Sequence, residues 1–245
     1  MTLTSIIIPT YNAQSLLRSC VEAIRAYTST PYEIIVVDNA STDGTDTYCR
    51  RNHITFISLP ENRGFPAACN MGLQLASGDE VLLLNNDVVV SRGWLTNLKR
   101  ALYSAPEIGI VGPITNYASG RQQVKINYEG MVDFHRVAES ANHPNPQRWL
   151  ETKRLVGLCF LFKRELLTTV GFLDEIFSPG HYEDDDYCYR ARLKGYKLLI
   201  VGDCLVHHEG SASFKRVYDN RLQELVERNR MIFMKKWSVD PTCFI

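Results

Sequence analysis

The 245-residue sequence predicts an α/β fold: a mostly parallel central sheet flanked by helices. Two observations carry this. Short apolar runs (residues 3–8, 33–37, 54–58 and 81–84) alternate with stretches whose apolar residues recur at helical spacing, the pattern of βαβ units. The run Val81-Leu82-Leu83-Leu84 is also continuous rather than alternating, as a strand covered on both faces requires. Right-handed crossovers follow from such an arrangement.

The elements come in order. Residues 3–8 form a strand ended by Pro9-Thr10-Tyr11-Asn12, and Leu16, Leu17, Cys20, Val21 and Ile24 then mark a helix. A second strand, 33–37, runs into Asp38-Asn39-Ala40-Ser41-Thr42-Asp43-Gly44, a cluster of turn and cap residues before a short helix ending near Arg51. The strand at 54–58 is followed by a helix over 64–76, the strand at 81–84, a helix over 94–103 and a strand at 108–111. From 112 to about 154 no period is sustained, and a flap or acceptor-binding insert is expected. Regularity returns with a strand at 155–162, a short helix over 164–170 closed by Gly171, a helix from Tyr182 to about Lys194 stopped by Gly195, and a strand at 197–201. His207 and His208 fall in a loop, and a long helix over 215–236 ends the chain.

Composition excludes several classes. With 45% hydrophobic and 22% charged residues and a formal net charge of +0, the chain reads as globular, without the basic surplus a nucleic-acid partner calls for. No apolar run approaches the roughly 20 residues of a membrane span, and the opening lacks a signal-peptide pattern. A cytoplasmic location is expected. The terminal helix mixes Lys215, Arg216, Arg221, Arg228, Arg230, Lys235 and Lys236 with Phe214, Met231, Phe233 and Trp237, a face that suits peripheral membrane contact or packing on its own domain. The seven cysteines form no CxxC pair, so reduced structural thiols are expected rather than a zinc knuckle or a disulfide framework.

Five features could carry chemistry. The turn Asn85-Asn86-Asp87 leaves a central strand at the sheet edge where open α/β folds bind ligands, and it offers hard oxygens to Mg²⁺ or Mn²⁺. An ordinary turn is the competing reading. Asp38 can accept from a ribose or base N–H, or cap its own loop with Asp43. Neither GxGxxG nor GxxxxGK[ST] is present, and the twelfth position from Asn39 is Arg50, which excludes an EF-hand. The run Glu183-Asp184-Asp185-Asp186 suits a helix N-terminus, while crowding of like charges raises pKa values towards those of a general base. Helical spacing places Glu183 and Asp186 near one face, with Asp184 turned away. His207-His208 can supply an imidazole to Mn²⁺, and Arg63 precedes a helix where a guanidinium suits a pyrophosphate or simply faces solvent.

In this order the segments Ser5-Ile-Ile-Ile-Pro-Thr-Tyr-Asn12, Val36-Val-Asp-Asn-Ala-Ser-Thr-Asp-Gly-Thr45, Asn62-Arg-Gly-Phe65 with Asn70-Met-Gly72, Leu84-Asn-Asn-Asp87, Gly157-Leu-Cys159, Tyr182-Glu-Asp-Asp-Asp186 and His208 onward resemble the family 2 glycosyltransferases. These are inverting enzymes of the GT-A fold, and the likeness is to the rhamnosyltransferase-like type that builds bacterial surface polysaccharides. The resemblance implies one catalytic domain over 1–245, with a nucleotide-binding half at 1–111, an acceptor and catalytic half at 112–213 and a C-terminal helix at 214–245. Pro9, Tyr11 and Asp38 would hold the base and ribose of a UDP- or dTDP-sugar, with Arg63, Asn70 and Asn86 beside them. Asp87 and His208 would bind Mn²⁺ or Mg²⁺; Asn85 stands where the family often has a first Asp, which leaves the preferred metal open. Asp184, preceded by Glu183 in the family's Glu-Asp pair, would be the general base towards a saccharide or lipid-linked saccharide acceptor. Two other readings compete. A sugar-phosphate nucleotidyltransferase would carry a Gly-rich, Arg-containing loop where Pro9-Thr10-Tyr11-Asn12 stands, and a silent nucleotide-sugar-binding module would bind without turnover.

Overall fold

Where the chain turns continuously apolar it enters the sheet. In the computed structural model, which describes residues 2–210 and 221–245, β1 (Thr4–Thr10) is buried along its whole length. It pairs in parallel with β2 (Tyr32–Asp38) on one side and β4 (Glu80–Leu84) on the other, and β2 pairs in parallel with β3 (Thr55–Ser58). The connections are α1 (Gln14–Tyr27), α2 (Thr45–Arg51) and α3 (Phe65–Leu75). In α1 the buried residues Leu17, Cys20, Val21 and Ile24 form the apolar stripe that the spacing predicts. Helix α3 lies so close to β1 that a Cβ on Gly72 would sit 2.4 Å from Ile7 Cγ2, which is why a residue without a side chain stands there.

Past β4 the sheet becomes mixed. After the two-residue β5 (Val88–Val89) and α4 (Trp94–Leu102), β6 (Ile108–Thr115) lies antiparallel to β8 (Cys159–Lys163), which itself runs antiparallel to β4. The long β9 (Lys197–His208) runs parallel to β6 and antiparallel to β7 (Trp149–Thr152), and its last two residues pair with β5. The described residues thus form one nine-stranded sheet ordered β3-β2-β1-β4-β8-β6-β9-β5, with β7 beside β9. The parallel expectation holds from β3 to β4 and again between β6 and β9, with antiparallel pairs between and beyond them.

Two expectations are corrected. The stretch 112–154 carries the end of β6, the helix α5 (Gly130–Ala141) and β7. Met131, Phe134, Ala138 and Ala141 do make a weak helical stripe, and buried Asn142, which accepts from Leu205 N at 2.7 Å and donates to Ser91 Oγ at 2.9 Å, fastens the helix end. His207 and His208 lie on β9 rather than in a loop, because the strand passes a register shift between Val201 and Leu205 and resumes. After α6 (Leu166–Thr169) and α7 (Glu183–Leu193), the last helix is described as α8 (Leu222–Trp237); Ser211 to Arg216 of the terminal motifs fall outside the described residues.

Helix α8 turns much of its charge onto its own domain. Lys236 lies 2.6 Å from both Asp174 and Asp186, and Arg230 lies 2.5 Å from Asp240, while Phe233 and Asn229 are fully buried. None of the described helices is long and apolar enough to cross a membrane. All seven cysteines are free and six are buried.

Candidate active site

The carboxyl ends of β1, β2 and β4 open onto a cavity of about 610 Å³, the place this topology reserves for ligands. Pro9 and Tyr11 from the end of β1, Asn85, Asn86 and Asp87 from the turn after β4, and Glu183, Asp184 and His208 all line it. The rim is laced by side-chain amides. Asn86 Nδ2 donates to Thr10 Oγ1 at 2.8 Å, tying the two strand ends together. Asn39 accepts from Arg63 N at 2.8 Å and donates to Gly64 O at 3.1 Å. Gly64 has φ 85°, and a Cβ there would lie 2.6 Å from Pro179 Cα, so glycine is what lets this loop touch the turn that leads into α7.

Asp87 and His208 face one another. His208 Nε2 is buried 3.2 Å from Asp87 Oδ1, and among the described residues it finds no hydrogen-bond partner. Its Nδ1 lies 2.8 Å from the Tyr117 carbonyl, which can only accept, so Nδ1 carries a proton and Nε2 is left to ligate. Asn116 grips the same residue through both backbone groups, at 2.8 and 3.0 Å. Burial pushes the imidazole pKa down, but the Asp87 carboxylate beside it outweighs burial and the net shift is upward. An orphaned imidazole nitrogen aimed at a carboxylate fits a divalent cation. Among the described residues no group of three or more His, Cys, Asp or Glu could hold one, so two protein ligands would leave the remaining positions to phosphate and water, as Mg²⁺-type sites do. His207 does not line the cavity; its ring meets the Tyr128 hydroxyl at 2.5 Å and Glu209 at 3.2 Å.

The acidic run divides differently from the helical-face expectation. Glu183, Asp184 and Asp185 line the cavity, whereas Asp186 is drawn away by Arg190 at 2.8 Å, Lys236 at 2.6 Å and Trp237 Nε1 at 2.8 Å. Glu183 therefore shares its surroundings with Asp184, not with Asp186. Among the described residues Asp184 accepts only backbone N–H groups, from Gly157 at 2.8 Å and Asp185 at 2.9 Å, which leaves lone pairs for a hydroxyl. Burial, then the Asp184 charge, hold the Glu183 carboxyl well above the usual range, and its Oε2 has no partner among the described residues. The same causes raise Asp185 to about 7, against the pull of Arg154.

Three expected residues stand elsewhere. Asp38 does not line the cavity: its oxygens accept from Ser41 N at 3.0 Å and Ser58 Oγ at 3.2 Å. Asp43 caps, accepting from Thr45 Oγ1 at 2.6 Å and Gln14 N at 2.8 Å. The Arg63 guanidinium is exposed and lies 3.4 Å from Glu175, and it too is absent from the lining. Asn70 is buried under the loop that follows α6; it donates to Leu173 O at 2.9 Å and Glu175 Oε1 at 3.0 Å and accepts from Leu173 N at 3.0 Å, so both ends of its amide are spent on structure. Arg154, Tyr117 and Tyr182 line the cavity without having been singled out. Arg154 follows Lys153 in a polar stretch, and no local signal sets it apart from a surface basic pair.

Residues 5–171 match the family model described as Glycosyl transferase family 2, a span that ends before Glu183, Asp184 and His208. The chain is 25% identical over 225 residues to the glycosyltransferase GlyG of Streptococcus pneumoniae, covering 87% of this chain and 73% of that protein. It is 28% identical over 227 residues to the O-antigen biosynthesis protein RfbC of Myxococcus xanthus, covering 85% of this chain and 17% of that one. Among solved structures, the mannosyltransferase PcManGT of Pyrobaculum calidifontis, in complex with GDP-Man and Mn²⁺, superposes with a TM-score of 0.64 at 26% identity, over 84% of this chain and 56% of that chain. The sheet with its covering helices is the GT-A arrangement of these neighbours. The chain spans a quarter, 25%, of one curated relative's length, 64% of another's, and 56% and 44% of two solved chains.

Proposed function

The chain belongs to glycosyl transferase family 2, and from that premise we propose that it moves a sugar from a nucleoside diphosphate sugar to an acceptor hydroxyl, inverting the anomeric carbon. One observation carries the reading: Asp87 with His208, and Asp184, line a single cavity at the carboxyl edge of the sheet. Bound Mn²⁺ or Mg²⁺ would act as a Lewis acid on the departing diphosphate. Asp87 and the Nε2 of His208 would hold it, and Tyr117 and Asn116 keep that imidazole turned inwards. Asp184, fixed by two backbone N–H groups, takes the proton of the acceptor hydroxyl as that oxygen attacks C1 from the face opposite the leaving group. Pro9 and Tyr11, which line the same cavity, would hold the base and ribose. The acceptor is a saccharide or lipid-linked saccharide; that RfbC is named for O-antigen biosynthesis supports a glycan product.

UDP and dTDP donors follow from reading Asp38 as a pyrimidine contact. Its placement behind the lining, and the GDP-Man in PcManGT, bring GDP into the comparison. Calorimetry with UDP, dTDP and GDP, with and without Mn²⁺, on wild type and Asp87→Ala tests the proposal. Metal-dependent binding of one nucleotide, weakened about 10–100-fold by the substitution, is the expected result. Binding of none overturns it, and binding without turnover points to a silent module.

A further inference from the structure

We propose that Arg154 is the positioning residue for Asp184, acting from the segment that joins the metal turn to α7. This rests on reading Asp184 as the base. Among the described residues Arg154 is the only Lys or Arg lining the cavity, and its side chain is just 13% exposed. Nε donates to Asp185 Oδ1 at 2.6 Å, and a terminal nitrogen donates to Ser119 Oγ at 2.9 Å. A guanidinium fork can hold two elements at once in this way, whereas an ammonium is a single point charge.

The segment beyond Arg154 makes contact at almost every residue. Leu155 N–H meets Cys188 Sγ at 3.4 Å, Val156 N donates to Gln122 Oε1 at 2.7 Å and Gly157 N donates to Asp184 Oδ2 at 2.8 Å. Leu158 O then accepts from Asn85 N at 2.9 Å, in the turn that bears Asp87. Residues 154–158 are thus a tie between the two halves of the site, with Arg154 as its charged anchor. The second donor to Asp184 is the N–H of Asp185, the residue that Arg154 grips. One hydrogen bond on the base thus comes from the residue that Arg154 grips, and the other from the segment that Arg154 begins. Glu183, Asp184 and Asp185 crowd three carboxylates together, with His181 and Cys188 as the other titratable neighbours, and Arg154 is the cation set against them.

The test compares wild type with Arg154→Met, Arg154→Lys and the double variant Arg154→Met/Asp185→Asn, in which the Asp185 charge is not left without its partner. Residue-resolved native-state hydrogen exchange at Gly157 should quicken by about tenfold or more in the Met variants while amides of β1 and β4 keep their protection. With UDP-glucose and GDP-mannose as probes, kcat should fall about 10²-fold, as expected of a base displaced by about 1 Å. KM should stay within about twofold, and Arg154→Lys should recover part of kcat. Unchanged protection at Gly157 overturns the proposal. So does a loss of UDP or GDP affinity with kcat retained, which would make Arg154 a donor ligand. If the wild type binds no nucleotide, the transferase reading fails, yet exchange at Gly157 still decides whether Arg154 anchors the tie.

Discussion

Two acidic segments line the cavity and are built in opposite ways. The turn after β4 carries one carboxylate, Asp87, beside two neutral amides, and pairs it with an imidazole nitrogen that has no hydrogen-bond partner among the described residues. The start of α7 carries four carboxylates in succession. There Asp186 is neutralised by Arg190 and Lys236, Asp185 is paired with Arg154, Glu183 is buried with its proton favoured, and Asp184 receives only backbone N–H groups. An isolated acid keeps its charge for a ligand that arrives from outside. A cluster must settle most of its charges internally, because like carboxylates at a few ångströms do not all ionise. What remains in each case is one carboxylate open to the cavity.

Substitutions sharpen this contrast. Asp184→Asn is expected to lower transfer by about 10²–10⁴-fold while metal-dependent nucleotide binding persists. Transfer at close to the wild-type rate would break the division of roles within the run. Asp186→Asn, two residues away on the same helix, should act on stability instead. Asp186 is fully buried between Arg190, Lys236 and Trp237, and removing one partner of such a set costs about 3–5 kcal/mol. Denaturant titration should show that loss, with turnover per folded molecule unchanged; a fall in turnover with stability intact would place Asp186 with Asp184 after all. Smaller still, Asn70→Ala should cost about 1–3 kcal/mol, since it leaves Leu173 N and Leu173 O without their partner. Nucleotide affinity should not move. Weakened binding in calorimetry would return Asn70 to the side of the pocket where the family resemblance puts it.

The unequal legibility of the two halves has a physical basis. From β1 to β4 each element is specified locally: continuous apolar strands, a 3.6-residue stripe on α1, and turn residues at each strand end. Hydrogen bonds to near neighbours complete it, such as Asp43 to Thr45. Beyond β6 the chain depends on distant partners. Helix α5 is pinned through Asn142 to Leu205, and β9 persists to His208 because β5 waits to pair with its end. A window of a dozen residues does not contain such information.

By itself the sequence determined the order of strands and helices from β1 to β4, the placing of Asn85-Asn86-Asp87 at a strand end, and the crowding of acids at the start of a helix, because these follow from periodicity and from neighbours along the chain. Tertiary structure alone decided which acids of the run face the cavity, that His208 rather than His207 turns inwards, that Asn70 and Asp186 serve the frame, and that Arg154 stands among the carboxylates. Each of those outcomes rests on contacts between residues dozens of positions apart, such as the 31 that separate Arg154 from Asp185, and their energies exist only once the chain has closed.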